Sequence, residues 1–564
     1  MKRTLPSIPQ LYRNLRRWTE ILSVLSKYGL ADWLSRLNID FVKDQIRSPE
    51  GGSLARESHE TRVRMACNEL GPTFIKLAQL LSTRPDLIGH PLADELSKLQ
   101  SNTTADPFSY IKPLVEGELG QPIEELFRNF DETPIASASI GQVHRAVLHD
   151  GRAVVVKVQR SDIERRVNTD LEILAGLAQL AELVEEYRPY RPVQLVAEFS
   201  RTMRRELEFG REERNLNQFA AMFEQDPFVR IPQAITAYCT PRVLTMEYID
   251  GIKIDDMPRL HHAQVDTELV ARRLAEIYLR MIFQEGFFHA DPHPGNILVQ
   301  RGNVVALIDF GMVGRISERS REDIEEMLLA IIGRDVPMLT TLIKRLGSTP
   351  ADIDESAFSN DIAEFVGQYA HTSLERFSLG AALRDMTSII RRHRILLPSE
   401  IALMIKVLIS LEGTGRRLSP QLSVIELMRP FRKSMLLRRM NPARQARKMR
   451  RIFLQLEQLA EDFPARASSI LEQIQSGKFD VHVDHRRLGP TANRLVMGML
   501  TSALFLGSSL MLSNKVPPVL FPTEPYWGIQ DLSIFGLSGL LASLLIGARL
   551  VLAIRKSGNL DRGV

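Results

Sequence analysis

Short apolar runs dominate the middle of the chain. His144–Leu148 and Ala153–Gln159 both read as strands, with four valines around Lys157 in the second, and Asp150-Gly151 between them has the chemistry of a tight turn. Val243–Ile249 is a further apolar strand running into Asp250-Gly251. Ile297–Val299 and Val304–Ile308 flank Arg301-Gly302-Asn303, which predicts a second hairpin with a Gly-Asn turn. From about Arg315 to Gln475 the pattern becomes helical, Leu-rich with charged positions, and punctuated by Pro337, Pro350, Pro398, Pro420 and Pro442. Near the N-terminus, Ile21–Leu37 places Leu22, Leu25, Trp33, Leu34 and Leu37 on one stripe, an amphipathic helix with a packing face. Leu495–Leu512 has no charged residue and Leu532–Ile554 is interrupted only by Arg549. Each approaches the roughly 20 residues a helix needs to cross a bilayer, so the chain reads as α+β with a terminal apolar hairpin.

Candidate chemistry gathers around the second hairpin. His289–Asn296 reads H-A-D-P-H-P-G-N, with Asn296 five residues after Asp291 and the D-F-G aspartate, Asp309, eighteen after it. D-F-G alone occurs by chance. With the octet at this spacing it matches a kinase-type phosphoryl-transfer set, in which Asp291 orients a hydroxyl while Asn296 and Asp309 hold the Mg2+ that bridges ATP phosphates. The hairpin carries Asn296 and Asp309 to one end. His289 and His293 lack a completing Cys or His and read as loop residues.

Such a site requires a phosphate-binding lysine and a covering loop upstream. Lys157, near the end of its strand, is placed to meet the α/β-phosphates. Ala136, Ser137, Ala138, Ser139, Ile140, Gly141, Gln142 and Val143 form the loop, with one glycine where protein kinases use three. Its small side chains still permit close approach, with altered nucleotide geometry. Val243–Ile249 occupies the place of an inter-lobe hinge, offering backbone groups at Glu247 and Ile249 to adenine.

These motifs, with Gly71–Gln79, Ser82–Asp86, Glu206-Leu207-Glu208 and Arg211-Glu212, make the chain resemble the UbiB/AarF-type atypical kinases. The resemblance runs from about Asn68 to Arg315 and on through the C-terminal tail. It implies a protein-kinase-like bilobal fold with family-specific N-terminal helices, membrane association and a link to ubiquinone biosynthesis. The family's K-x-G-Q reads Lys76-Leu77-Ala78-Gln79 here, and its E-x-D reads Glu206-Leu207-Glu208. In the family the helix of the first motif lies over the active site, contacts the second and restricts a protein substrate. The resemblance leaves two lysine partners open, Glu206 and Glu212, one for Lys76 and the other for Lys157; Glu212 is the favoured partner of Lys157.

Composition adds an anchor and a compartment. The 564 residues carry a net charge of only +4, yet Arg429–Arg451 holds ten Lys/Arg and no acid, a segment suited to anionic lipid or to a solvated helix face. A nucleic-acid partner would leave the apolar hairpin unexplained. Arg486, Arg487 and Arg494 before the first span, and Arg555, Lys556 and Arg562 after the second, place both ends and the kinase-like body in the cytoplasm at the inner membrane. Tyr526 and Trp527 suit the opposite interface. Gly498/Ser502 and Gly539/Ser543/Gly547 recur at four-residue spacing, so the spans are expected to pack together or to form a homodimer. Cys67 and Cys239 alone form neither a metal nor a disulfide framework.

The expected organisation is a helical extension over 1–60, family-specific helices over 61–130, an N-lobe over 131–250, a C-lobe over 251–420, a basic membrane-proximal extension over 421–490 and two spans over 491–556. Membrane lipid is the expected partner, and the resemblance adds isoprenoid quinone precursors and quinone-biosynthesis enzymes. A nucleotide-switched scaffold uses the same residues. A small-molecule phosphotransferase of the aminoglycoside or choline-kinase type shares the H-x-D-x-x-x-x-N pattern, but predicts neither the Lys76–Gln79 motif nor the hairpin.

Overall fold

Alternation along one strand organises the first lobe. In the computed structural model, which describes residues 15–30, 57–99, 104–184, 187–370, 378–423, 488–520 and 531–556 with isolated positions between 427 and 468, the chain divides into units Met1–Arg444 and Gln445–Val564. Helices α1 (Leu15–Lys27), α2 (His59–Leu70), α3 (Pro72–Ser82), α4 (His90–Ser97) and α5 (Phe108–Leu119) precede the first sheet. Its strands are β1 (Asn129–Phe130), β2 (Ala136–Ser137), β3 (Gly141–Val147) and β4 (Ala153–Gln159), joined after β5 (Val229–Arg230) by β6 (Val243–Glu247). All pair antiparallel, in the order β1-β3-β4-β6 with β2 on β3. Val154, Val156 and Val158 pack with Ile111 and Val115 of α5, while Lys157 and Val155 take the opposite face. Between β4 and β6 lie α6 (Ile163–Leu183), α7 (Pro192–Glu206) and α8 (Phe209–Met222).

The first helix stops earlier than its apolar stripe suggests. Gly29 takes φ +65, and the Gly29 and Leu30 N–H groups bond back to Ser26 and Leu25, ending the helix in a left-handed turn. Trp33, Leu34 and Leu37 lie outside the described residues.

The second lobe begins with β7 (Ile252–Lys253) and α9 (Thr267–Leu279), which runs into the π-helical turn Arg280–Glu285. Strands β8 (Phe287–His289), β9 (Ile297–Gln300), β10 (Val304–Leu307) and β11 (Val313–Arg315) follow. β9 and β10 form the expected hairpin, with Gly302 and Asn303 at φ 78 and 59, positions that Gly and Asn tolerate best. Then come α10 (Glu318–Gly333), α11 (Val336–Leu346), α12 (Glu355–Ala370), α13 (Leu379–Arg392) and α14 (Ser399–Leu418). Pro337 and Pro398 open α11 and α14 rather than break them, since proline is tolerated where the helix N–H groups have no partner. The main core joins Leu274 and Tyr278 of α9, Phe287 and Phe288 of β8, Val305 of β10 and Leu408 of α14. It also takes in Val155 and Met246 from the first sheet.

The second unit is a helical hairpin, α15 (Leu488–Ser513) and α16 (Ile534–Lys556), closed by strands β12 (Val519–Leu520) and β13 (Leu532–Ser533). A Cβ at Gly536 would lie 2.7 Å from Leu512, and one at Gly539 would run into Ser508, so missing side chains set the closeness of the pair. On α15 it is Thr501 and Ser508, not the exposed Ser502, that meet the glycines of α16. Leu495–Ser513 and Ile534–Leu552 are long and apolar enough to cross a membrane, and Leu495, Leu506, Leu545 and Leu552 point outward. Most of Arg429–Arg451, together with Arg486, Arg487, Tyr526, Trp527 and Arg562, lies outside the described residues.

Candidate nucleotide site

Lys157 is the centre of the cleft face of the first sheet. Its Nζ donates to both Glu212 oxygens at 2.8 and 2.9 Å and lies 3.4 Å from Asp309 Oδ1. Burial would lower the Lys157 pKa, but the carboxylates of Asp309 and Glu212 outweigh it and hold the ammonium charged, above its ordinary value. Burial pushes Glu212 up to about 7 against the pull of Lys157. Lys157, and after it Lys76, hold the Asp309 carboxyl well below the usual range, against the effect of burial.

The register shows what else faces the cleft. Val143 stands opposite Lys157, and Val155 opposite Met246, on the same side of the sheet. Ile249, at the end of the first lobe, clusters with Leu298, Ala306 and Ile308 of the second. The Tyr248 N–H is taken by Ala153 O at 3.0 Å and the Glu247 N–H by Gln233 O at 2.9 Å, while the Glu247 carboxylate pairs with Arg230, so the Glu247 side chain and N–H are both committed.

One buried histidine ties the two acidic motifs together. His289 Nε2 donates to Asp309 O at 2.8 Å, and its Nδ1 accepts from the Asp291 N–H at 3.3 Å. Its ring stands edge-on to Phe310. The loop reading of His289 is thus replaced by a fully buried strand residue. His293 does sit in the loop, where Nδ1 accepts from the Gly295 N–H at 3.1 Å. Asn296 Nδ2 donates to Asp291 Oδ2 at 2.9 Å and to Asp291 O at 3.2 Å, which directs the amide NH2 to the aspartate and leaves Oδ1 as an oxygen donor. Asp309 holds φ +63, with its Oδ1 accepting from the Gly311 N–H at 3.2 Å.

Among the described residues no group of three or more His, Cys, Asp or Glu gathers to hold a metal. One carboxylate and one amide oxygen instead suit Mg2+, which keeps several waters and takes further oxygens from phosphates. The donor set therefore fits.

The small-residue loop is held from outside by a network that its own sequence does not announce. Arg160 donates to Ala138 O at 3.0 Å and to Ser137 Oγ at 2.7 Å, and pairs with Asp106 at 2.9 Å. Gln142 bonds the Asp106 backbone and His144. Ser139 and Ile140 are buried and Ser137 and Ala138 half-buried, so within the loop only Ala136 is exposed. A Cβ on Gly141 would lie 2.7 Å from Val158 O and 3.1 Å from the Phe209 ring. The lone glycine serves close packing beneath the loop.

Helix α3 adjoins the same site. Lys76 Nζ pairs with Glu206 at 2.6 Å. Burial would lower its pKa, but Glu206, then Asp309 and Asp291, raise it, which places its charge among the site's carboxylates. Gln79 instead donates to Leu99 O at 3.2 Å. Ala78 is fully buried against Leu96 and Leu99, so its methyl packs between α3 and the end of α4. Glu208 stands exposed at the start of α8 and pairs with Arg214 at 3.1 Å, away from Lys76. The far end of α3 and the chain after it reach the helical lobe through Ser82 to Lys406 Nζ, 3.1 Å, Arg84 to Leu397 O, 3.1 Å, and His90 to Thr387, 2.7 Å.

Two lobes meeting at this cluster define a bilobal, protein-kinase-like protein. Family models agree: residues 98–342 match the ABC1 atypical kinase-like domain, 362–423 the UbiB helical domain and 482–556 the ABC1/UbiB kinase-like C-terminal domain. A Clostridium pasteurianum protein described as an uncharacterized protein in the hydrogenase 1 5′ region is 33% identical over 555 residues, 96% of this chain and 99% of the relative. The "Probable protein kinase UbiB" of Azotobacter vinelandii is 32% identical over 530 residues, covering 91% and 96%, and that of Shewanella pealeana 30% over 543, covering 92% and 96%. The chain belongs to the UbiB family of atypical kinase-like proteins.

Proposed function

We propose that the protein is a membrane-anchored atypical kinase or ATPase that binds Mg-ATP and supports ubiquinone (isoprenoid quinone) biosynthesis or membrane lipid homeostasis. The observation that carries this reading is the meeting of Lys157, Glu212 and Asp309 beside the bonded pair Asp291 and Asn296. Lys157 binds the α/β-phosphates, Asp309 and Asn296 offer oxygens to the metal, and Asp291 orients the acceptor hydroxyl or attacking water. Bound Mg2+ supplies charge neutralisation across the phosphates. Phosphoryl transfer asks mainly for positioning and such neutralisation, so this set suffices once an acceptor is in place. Val143, Val155 and the Glu247 and Ile249 main chain receive adenine, and Ala136–Gly141 covers the phosphates.

Membership of the UbiB family, which by resemblance implies ubiquinone biosynthesis, supports the quinone link, and the outward-facing apolar surface of α15 and α16 supports the anchor. Arg494 before the first apolar span and Arg555 and Lys556 after the second favour a cytoplasmic body at the inner membrane. Lipid, isoprenoid precursors and quinone-biosynthesis enzymes are the partners this implies, with a homodimer through the spans.

Purified full-length protein should be stabilised by Mg-nucleotide and hydrolyse ATP, with turnover responding to anionic liposomes or a quinone-precursor analogue. Absence of Mg-dependent nucleotide stabilisation under all of those conditions would refute the reading. The pairing of Lys76 on α3 with Glu206 at 2.6 Å, a contact between separate elements that nucleotide could shift, favours one second reading, a nucleotide-switched scaffold. Asp291→Asn decides between them: lost hydrolysis with intact ATP binding and intact cellular complementation identifies the scaffold.

A further inference from the structure

Arg160 follows directly on β4, three residues past Lys157, and it is buried against the small-residue loop. Its Nε donates to Ala138 O at 3.0 Å and its Nη2 to Ser137 Oγ at 2.7 Å. The Arg160 main-chain N–H donates to Ile140 O at 3.0 Å, so side chain and backbone hold the same turn. The remaining edge of the guanidinium meets Asp106, Nη1 to Oδ1 at 2.9 Å, while Asp106 Oδ2 accepts from the Ser161 N–H at 3.2 Å. Asp106 is braced in turn, because Gln142 of β3 accepts from its N–H at 2.8 Å and donates to its main-chain oxygen at 3.2 Å.

Little inside the loop sets its shape. Of its two hydroxyls, that of Ser137 is bonded to Arg160, and that of Ser139 is buried with no partner among the described residues. One main-chain bond, Ala138 N–H to Gly141 O at 2.8 Å, closes the turn, and Gly141 is committed to packing beneath it. Alanine and serine lack the backbone freedom with which glycines wrap a phosphate, so this loop has to be held in place before the ligand arrives.

We propose that Arg160 is a positioning residue, which holds Ala136–Gly141 in the conformation that covers the nucleotide phosphates and ties the loop to the strand that carries Lys157. This rests on the nucleotide reading given above. A planar guanidinium engages a carbonyl, a hydroxyl and a carboxylate at once, which an ammonium does not. Asp106 neutralises its charge, so Arg160 acts on phosphate binding through the shape of the loop and not through attraction at a distance. A loop ordered in advance removes a cost that binding would otherwise carry. Only the phosphates gain from it, because the base is received elsewhere in the cleft.

The test uses full-length protein in nanodiscs, with affinities for MgATP and for adenosine measured in wild type, Arg160→Met, Arg160→Lys and Ser137→Ala. Wild type should bind MgATP more tightly than adenosine. R160M should lose about tenfold in MgATP affinity, the worth of one charge-assisted hydrogen bond, while adenosine affinity is kept. R160K should lose nearly as much, since it keeps the charge without the geometry. S137A removes one bond and strands no charge, so it should lose about threefold for MgATP alone, and it decides the matter if R160M does not fold. The proposal is overturned if wild type binds the two ligands equally, if R160M or S137A keeps full MgATP affinity, or if R160M weakens MgATP and adenosine alike, which marks general support of the lobe. It is also overturned if R160K matches wild type, which marks attraction by charge. A wild-type protein that binds neither ligand refutes the nucleotide reading itself.

Discussion

Two lysine–glutamate pairs flank the cleft, one buried and one half-buried, and they are built differently. Lys157 and Glu212 join a strand to a helix within one lobe, with both carboxylate oxygens engaged and Asp309 as a third member. Lys76 and Glu206 join α3, a helix from before the first sheet, to α7. The first pair holds the interior of the site in shape. The second ties a separate element beside it, so rupture of the first should cost the protein its fold or its ligand, and rupture of the second should change access.

Lys157→Met should give the largest effect, because it strands a buried carboxylate. A stability loss of about 3–5 kcal/mol is expected, with no remaining Mg-nucleotide stabilisation, read by denaturant unfolding with and without ligand. Glu206→Gln should destabilise by about 1–3 kcal/mol and speed dissociation of a fluorescent ADP analogue in stopped flow. Combined with Lys76→Met, the two losses should fall short of additivity, whereas full additivity would show that the pair is not coupled. Ala78→Gly, the residue of the family pattern, should cost about 1 kcal/mol in helix propensity, plus the loss of a buried methyl, and lower the urea midpoint. Glu208→Gln touches only an exposed pair with Arg214 and should shift stability by less than about 0.5 kcal/mol. A large effect there would mean that Glu208 reaches the cover after all.

What was legible beforehand was whatever depends on neighbours in sequence. The β9–β10 hairpin follows from Gly302 and Asn303, whose left-handed backbone is a local preference. Lys157 was legible because a lone charge among valines on a strand stands out. Arg160 and Asp106 were not, since they meet across 54 positions and neither sits in a distinctive pattern. Lys406 is one lysine in an amphipathic helix, and its partner Ser82 is 324 positions away. The end of α1 was missed because the apolar stripe continues past Gly29, whose backbone turn overrides it.

The run from Lys76 to His90 grips α7 at one end and α13, α14 and the chain between them at the other. A clamshell pinned across its mouth cannot swing while the pin is seated in both shells. On the nucleotide reading proposed above, exchange requires the release of one grip, and a partner that loosened the weaker one would set the tempo of the cycle.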